Sequence, residues 1–377
     1  MKIYEANKAR FDSSYDRILS VYEHKNVDEM PFIISDVNYW MDGVSPKNSP
    51  EDYFTNPASM TAYQTNKIIN HLQMYDDDYL PLLFPWYGTG VVPSALGCNI
   101  QFHAKGDPSV EGTVIKQPED IRNLKMPDPY QDGLMPRVLA TIDHMRGNSD
   151  LPISFTDPQG PLNIALCLCG VENLFVWMYD APNFVHELME FCTEVFIQWV
   201  EIQRLHIGQA HRTGAFPHGI VLPEKFGGIW LADDDCTIIS ASLYKEFVVP
   251  YNSKIFKHFG GGTIHFCGSA EHQIENFLLT EGCTGVNNFC MGNFNQVYQM
   301  QKAYENKLAL MVCDFAPLEV NTYYGELLSM LKRKGTLVAS FLSEEYALMD
   351  SKYKNITRDP STVGKELYQV FQKNCRI

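Results

Sequence analysis

His265-Phe266-Cys267-Gly268 sets an imidazole and a thiol two residues apart, just after Thr263-Ile264 and the three glycines Gly260 to Gly262. Alternation along a strand turns residues i and i+2 to the same side, so both side chains face one way. Zinc accepts imidazole nitrogen and thiolate sulfur as ligands, and the pair reads as half of a soft-metal site; a His and a Cys on a buried strand also occur as plain packing. Three carboxylates, Asp233, Asp234 and Asp235, end the apolar run 228–232. On a continuing strand Asp233 and Asp235 share a direction and Asp234 points away. Asp233 and Asp235 are then the candidate catalytic acids, able to protonate a leaving group or to fix the tautomer of His265 by a hydrogen bond. The alternative is a loop acid that caps the helix starting near Ser240. Candidate substrate contacts are Asp157 at the end of the run 151–157, the aromatic residues Tyr39, Trp40 and Trp86, and His218 in an insertion between helix and strand. Aromatic faces suit a flat or methylated substrate, whereas Trp230 is better read as core.

The chain of 377 residues is 45% hydrophobic and 20% charged, with a formal net charge of -15. An acidic surface is repelled by phosphate backbones and anionic headgroups, which argues against nucleic acid or membrane as the main partner. There is no run of eighteen apolar residues and no amino-terminal apolar leader, so a cytoplasmic location is expected. Ten scattered cysteines then read as reduced thiols, and Cys167 and Cys169 as small core residues.

The elements that must position these groups alternate. An apolar strand at 31–34 follows an amino-terminal helical stretch. Beyond it, strands are expected at 151–157, 228–235, around His265, and at 285–290, 308–314 and 336–341. Helices lie between them: from Asp180 (cap) and Pro182 (first turn) to about Leu205, from Ser240 through Phe247, at 250–259, at 294–305 and at 323–333. Strand–helix alternation implies a parallel sheet. Several strands end in polar residues (Asp157, Asp233 to Asp235, His265, Asn287, Cys313). No Gly-x-Gly-x-x-Gly follows any strand, so a (β/α)8 TIM barrel with an N-terminal helical extension is favoured over an open doubly wound sheet. Residues 1–377 are expected to form one such domain, with the site at the carboxyl ends of the strands.

These segments resemble a known family. Asp157-Pro158-Gln159-Gly160-Pro161-Leu162-Asn163-Ile164-Ala165 is similar to the Gly-x-Pro-[Phe/Leu]-Thr-x-Ala segment of the uroporphyrinogen decarboxylase superfamily. Ala232-Asp233-Asp234-Asp235 and Ser242-Leu243-Tyr244-Lys245-Glu246-Phe247-Val248-Val249-Pro250-Tyr251 resemble its following strand and helix. Thr263-Ile264-His265-Phe266-Cys267-Gly268 is similar to the His-x-Cys-Gly of its zinc-dependent branch, the cobalamin:coenzyme M methyltransferases and related corrinoid methyltransferases. The resemblance covers residues 30 to 370 at fold level and is specific over 155 to 270.

Two departures matter. The decarboxylase's Arg-Gln-Ala-Gly-Arg, which holds substrate carboxylates, should fall near Ile34 to Met41, where this chain has Ser35-Asp36-Val37-Asn38-Tyr39-Trp40. A polycarboxylate needs such fixed cations, and the decarboxylase's late Gly-His-Gly is also missing. The methyltransferase branch has its third zinc ligand in a late Pro-Gly-Cys turn, which here reads Phe341-Leu342-Ser343-Glu344-Glu345. By position Cys313 is the best substitute, then Cys290, then Glu344.

The resemblance implies Zn2+ on His265, Cys267 and Cys313. It implies methyl transfer between a small methylated substrate, or a thiol, and a corrinoid (cobalamin). No Asp-x-His-x-x-Gly motif occurs, so the corrinoid is expected on a separate partner protein; a homodimer is compatible with this reading. The rivals are a metal-free lyase that acts on a smaller carboxylic acid through Asp233 or Asp235, and a non-catalytic barrel that binds a corrinoid or tetrapyrrole.

Overall fold

The computed structural model describes residues 2–27, 29–36, 50–103, 106–208, 214–216, 219–342 and 359–376. Strands covered on both faces are apolar along their whole length instead of alternating. Phe32–Ser35, Ala309–Phe315 and Thr336–Phe341 are buried at every residue. Six strands pair in parallel, in the spatial order Phe32–Ser35, Thr336–Phe341, Ala309–Phe315, Cys283–Phe289, Gly262–Cys267, Trp230–Ala232. Two further extended segments meet in a parallel bridge between Leu83 and Ile153. They reach both sheet edges: Asp78 N donates to Phe32 O at 2.9 Å, and Gly160 N donates to Ala232 O at 2.8 Å. The ring is a (β/α)8 barrel, and the carboxyl ends of its strands share one face.

In the arc around Leu83 and Ile153, side chains take over from the strand ladder, because every buried backbone group needs a partner. Gln64 serves both groups of Phe84, donating to its O at 2.6 Å and accepting from its N at 2.9 Å. Gln203 Oε1 accepts from Thr156 N at 2.7 Å. Ser154 Oγ donates to Ala215 O at 3.1 Å and accepts from Ala215 N at 3.2 Å. Asp77 accepts from Ile34 N at 2.8 Å and Asp78 from Phe32 N at 3.1 Å.

Those two aspartates are charge-compensated. Arg10 lies 3.3 Å from Asp77 and Arg17 lies 2.6 Å from Asp78. His71, in the last turn of the helix Pro57–Met74, is buried between two carboxylates. Its Nδ1 is 2.7 Å from Asp36 and its Nε2 3.0 Å from Asp77. Asp36 follows the strand Phe32–Ser35, so this triad ties the strand's carboxyl end to the neighbouring helix.

The helices Ile3–Ala6 and Lys8–Tyr22 form the expected N-terminal extension. Asp150 fixes the first, accepting from Ile3 N at 2.9 Å. The second delivers Tyr22 OH to within 3.0 Å of Thr263 Oγ1, at the amino end of the His265 strand. Among the described residues no single helix is long and apolar enough to cross a membrane.

Two local expectations are corrected. Asp180 closes the helix Val171–Asp180, and the long helix Pro182–Ile207 takes Ala181 as its cap. The strand expected over 228–235 stops at Ala232, and residues Asp234–Thr237 turn into a 3-10 helix. Ser240 does cap the next helix, its side chain accepting from Leu243 N at 3.3 Å.

The motif glycine Gly160 has a steric reason. A Cβ there would lie 2.6 Å from Ala232 O, at the point where the two strand ends touch. Gly160→Ala is expected to force them apart at a cost of about 1–3 kcal/mol, read as a lowered midpoint in urea unfolding. An unchanged midpoint would show that the contact can relax.

Candidate metal centre

Sequence alternation predicts the first half of the site. His265 and Cys267 end the strand Gly262–Cys267, and Cys267 Sγ lies 3.7 Å from His265 Nε2. The third member is Asp234. One donor atom each of Asp234, His265 and Cys267 lies within 4.8 Å of the others. Asp234 Oδ1 sits 3.9 Å from His265 Nε2 and accepts from Cys267 N at 2.8 Å. The expectation that Asp234 points away assumed a strand through all three acids. Because the strand ends at Ala232, the 3-10 turn swings Asp234 back over the neighbouring strand end.

The same turn separates the other two acids. Asp233 is fully buried and accepts from Asn252 Nδ2 at 3.0 Å and from Tyr244 OH, so it anchors the helices Ala241–Phe247 and Val249–Phe259. Burial pushes its carboxyl up to about 7, against those two hydrogen bonds. Asp235 is partly buried, and burial together with Asp234 raises its carboxyl. Asp157 is buried, its two oxygens accepting from Gln159 N at 2.8 Å and Gln159 Nε2 at 2.7 Å. Burial is the main cause raising it to about 7, with the charge of Asp234 adding to it.

Cys313 is fully buried and stands apart from the three grouped donors. Its Sγ accepts from Asn287 Nδ2 at 2.9 Å, and Asn287 Oδ1 faces His265 Nδ1 at 2.5 Å. Cys290 belongs to a separate cluster on the same face: it donates to Asp314 Oδ2 at 3.1 Å, beside Tyr323 OH, which donates to the same oxygen. Trp86 is buried, with Nε1 donating to Asp107 at 2.7 Å. Tyr39, Trp40, His218 and Glu344 lie outside the described residues. Phe216, Trp230 and Phe289 surround the His265 imidazole, with ring centroids at 5.5, 6.1 and 6.4 Å.

Sequence reasoning missed the roles of Asp234, Asn287 and Tyr323. For Asn287 a signal existed: a polar amide in the buried part of a strand must have partners.

The donor set fits zinc. One carboxylate oxygen, one imidazole nitrogen and one thiolate sulfur are three protein ligands of types zinc accepts, and they leave a fourth position for substrate or water, as in catalytic sites. Burial and the adjacent Asp234 hold the Cys267 thiol far above its ordinary range, so a metal here would displace a proton.

A barrel with an His-x-Cys at a strand's carboxyl end, beside an acidic turn, defines a class. The chain belongs to the uroporphyrinogen decarboxylase (URO-D) family, whose model matches residues 13–212. It is similar to a methylated-thiol–coenzyme M methyltransferase of Methanosarcina mazei, at 27% identity over 192 residues. That match covers 49% of this chain and 46% of the relative, so the chain spans about half the length of the curated relative it matches. A solved methyltransferase from Methanosarcina mazei has the same fold, with a TM-score of 0.65 at 17% identity, covering 95% of this chain and 97% of that one.

Proposed function

We propose that the chain is a zinc-dependent methyltransferase, moving a methyl group between a small methylated substrate, or a thiol, and a corrinoid carried by a separate protein in the cytoplasm. The observation that carries this reading is the grouping of Asp234, His265 and Cys267 at the barrel's carboxyl face. The similarity to a methylated-thiol methyltransferase supports the substrate class. A bound zinc ion would supply Lewis-acid chemistry, lowering the proton affinity of a thiol or drawing charge from a methylated sulfur.

The chain's own groups do the rest. His265 Nε2, Cys267 Sγ and Asp234 Oδ1 would hold the ion. Phe216, Trp230 and Phe289 keep water from the imidazole and lower the local dielectric. Asp157, with its raised affinity for a proton, is a candidate polar contact for substrate at the neighbouring strand end. Asp235 lies in the same acidic turn and is the remaining candidate acid.

The test is metal content joined to turnover. Purified protein dialysed against a weak chelator is expected to keep near one zinc per chain. It is also expected to demethylate free methylcobalamin when 2-mercaptoethanesulfonate is added, followed by the loss of the alkyl-cobalt absorbance. Folded protein that holds no zinc and leaves the spectrum unchanged would overturn the reading.

A further inference from the structure

We infer that Met311, Cys313 and Asn287 form a hydrogen-bond relay that sets the tautomer of His265, making Cys313 a positioning residue and not a metal ligand. The inference deepens the metal reading of this site, but its first readout needs no metal.

Two orientations of the Asn287 amide have to be decided between, since its oxygen and nitrogen are alike in shape. Cys313 cannot decide, because a thiol both donates and accepts weakly. Met311 O decides, because a carbonyl only accepts. It lies 3.2 Å from Asn287 Nδ2, and turning the amide over would set two oxygens against each other. With Nδ2 fixed on Met311 O and on Cys313 Sγ at 2.9 Å, Oδ1 must face His265 Nδ1 at 2.5 Å. An amide oxygen only accepts, so Nδ1 carries the hydrogen. In the neutral ring Nε2, the nitrogen on the side of Cys267 and Asp234, then presents its lone pair to them.

The relay crosses three adjacent strands in register. His265 pairs with Asn287, and Asn287 pairs with Met311. The orientation therefore comes from the sheet itself and does not depend on a loop. Asn287 is buried with no exposed surface, so water cannot replace either partner. The same geometry explains why a cysteine stands on the Ala309–Phe315 strand within reach of the site without joining its donor group. Sγ is large enough to reach Nδ2, and it is already engaged there.

The first experiment is 15N NMR of the imidazole nitrogens in metal-free protein, with His265 assigned by the signal lost in His265→Gln. The wild type is expected to show Nδ1 protonated and Nε2 bare. Asn287→Ala is expected to move the population toward Nε2–H. A neutral ring that carries its hydrogen on Nε2 in the wild type would overturn the relay. The second experiment is titration with Co2+, whose thiolate-to-metal charge-transfer band reports sulfur ligands. Cys313→Ser is expected to keep the band's intensity, Cys267→Ser to lose it, and Asn287→Ala to weaken Co2+ binding by about 10–100-fold. A band diminished in Cys313→Ser would make Cys313 a ligand and overturn the assignment. If Co2+ fails to bind the wild type at all, the metal reading falls, and the NMR result still decides the relay.

Discussion

Cys267→Ser is expected to strip the metal from the protein, stop methyl transfer and leave the fold standing. Losing an outer-shell partner of a metal ligand already costs about 10–100-fold in affinity, so losing the thiolate itself is expected to cost more than about 100-fold. Purified Cys267→Ser should therefore carry less than about a tenth of the wild-type zinc after dialysis, measured by mass spectrometry. The fold should survive because Cys267 sits partly exposed at the strand's last residue, and a surface-edge change of one atom usually stays within about 0.5 kcal/mol. His265→Ala is expected to lose metal equally. It is also expected to unfold more easily, since it leaves a void among Phe216, Trp230 and Phe289. Retention of full zinc by Cys267→Ser would move the metal elsewhere and end the assignment.

The second large effect lies away from the site. His71→Ala is expected to cost about 3–5 kcal/mol, the usual result of removing one partner from a buried ion pair. Asp36 and Asp77 would then face each other with the intervening positive charge gone. Burial alone pulls the His71 imidazole down, but the charges and hydrogen bonds of Asp77 and Asp36 outweigh it and raise it to about 10. Burial would likewise raise Asp77; His71, Ile34 N and Arg10 together hold it below its ordinary value. The sign follows from these directions. An unfolded histidine titrates near 6.5, so the His71 contribution is complete below about 6.5 and is lost as pH rises through about 10. The Asp77 contribution is present above about 3.9 and is lost as pH falls through its depressed folded value. Urea unfolding of the wild type should show stability falling from neutral pH toward pH 10, and His71→Ala should flatten that slope. A parallel decline in both proteins would place the alkaline sensitivity in other groups.

Much of this was readable from residue order. Thr263 to Cys267 is a strand by composition, and the period of two put His265 and Cys267 on one side. The alternation of apolar runs with helices was enough for the barrel. Where the reading failed, the cause was local. Nothing in Asp233-Asp234-Asp235 tells a strand end from a 3-10 turn, and that single difference exchanged the inward acid. Cys313 lies near the site in both readings, but which atom it touches depends on the amide of Asn287, 26 residues away. The His71 triad was invisible because Asp36 and Asp77 come from two different connections, 35 and 6 residues from the histidine.

The substitution of side chains for a strand ladder in the arc around Leu83 and Ile153 divides the barrel mechanically. A ladder's hydrogen bonds break together, whereas contacts such as those of Gln64, Gln203 and Ser154 can each release alone. The two arcs thus differ in compliance. His265, Cys267 and Asn287 stand on the stiff arc, whose spacing is set by continuous backbone pairing, and Asp157 stands on the soft one. The spacing of His265 and Cys267 is thus independent of any give at the strand end that carries Asp157.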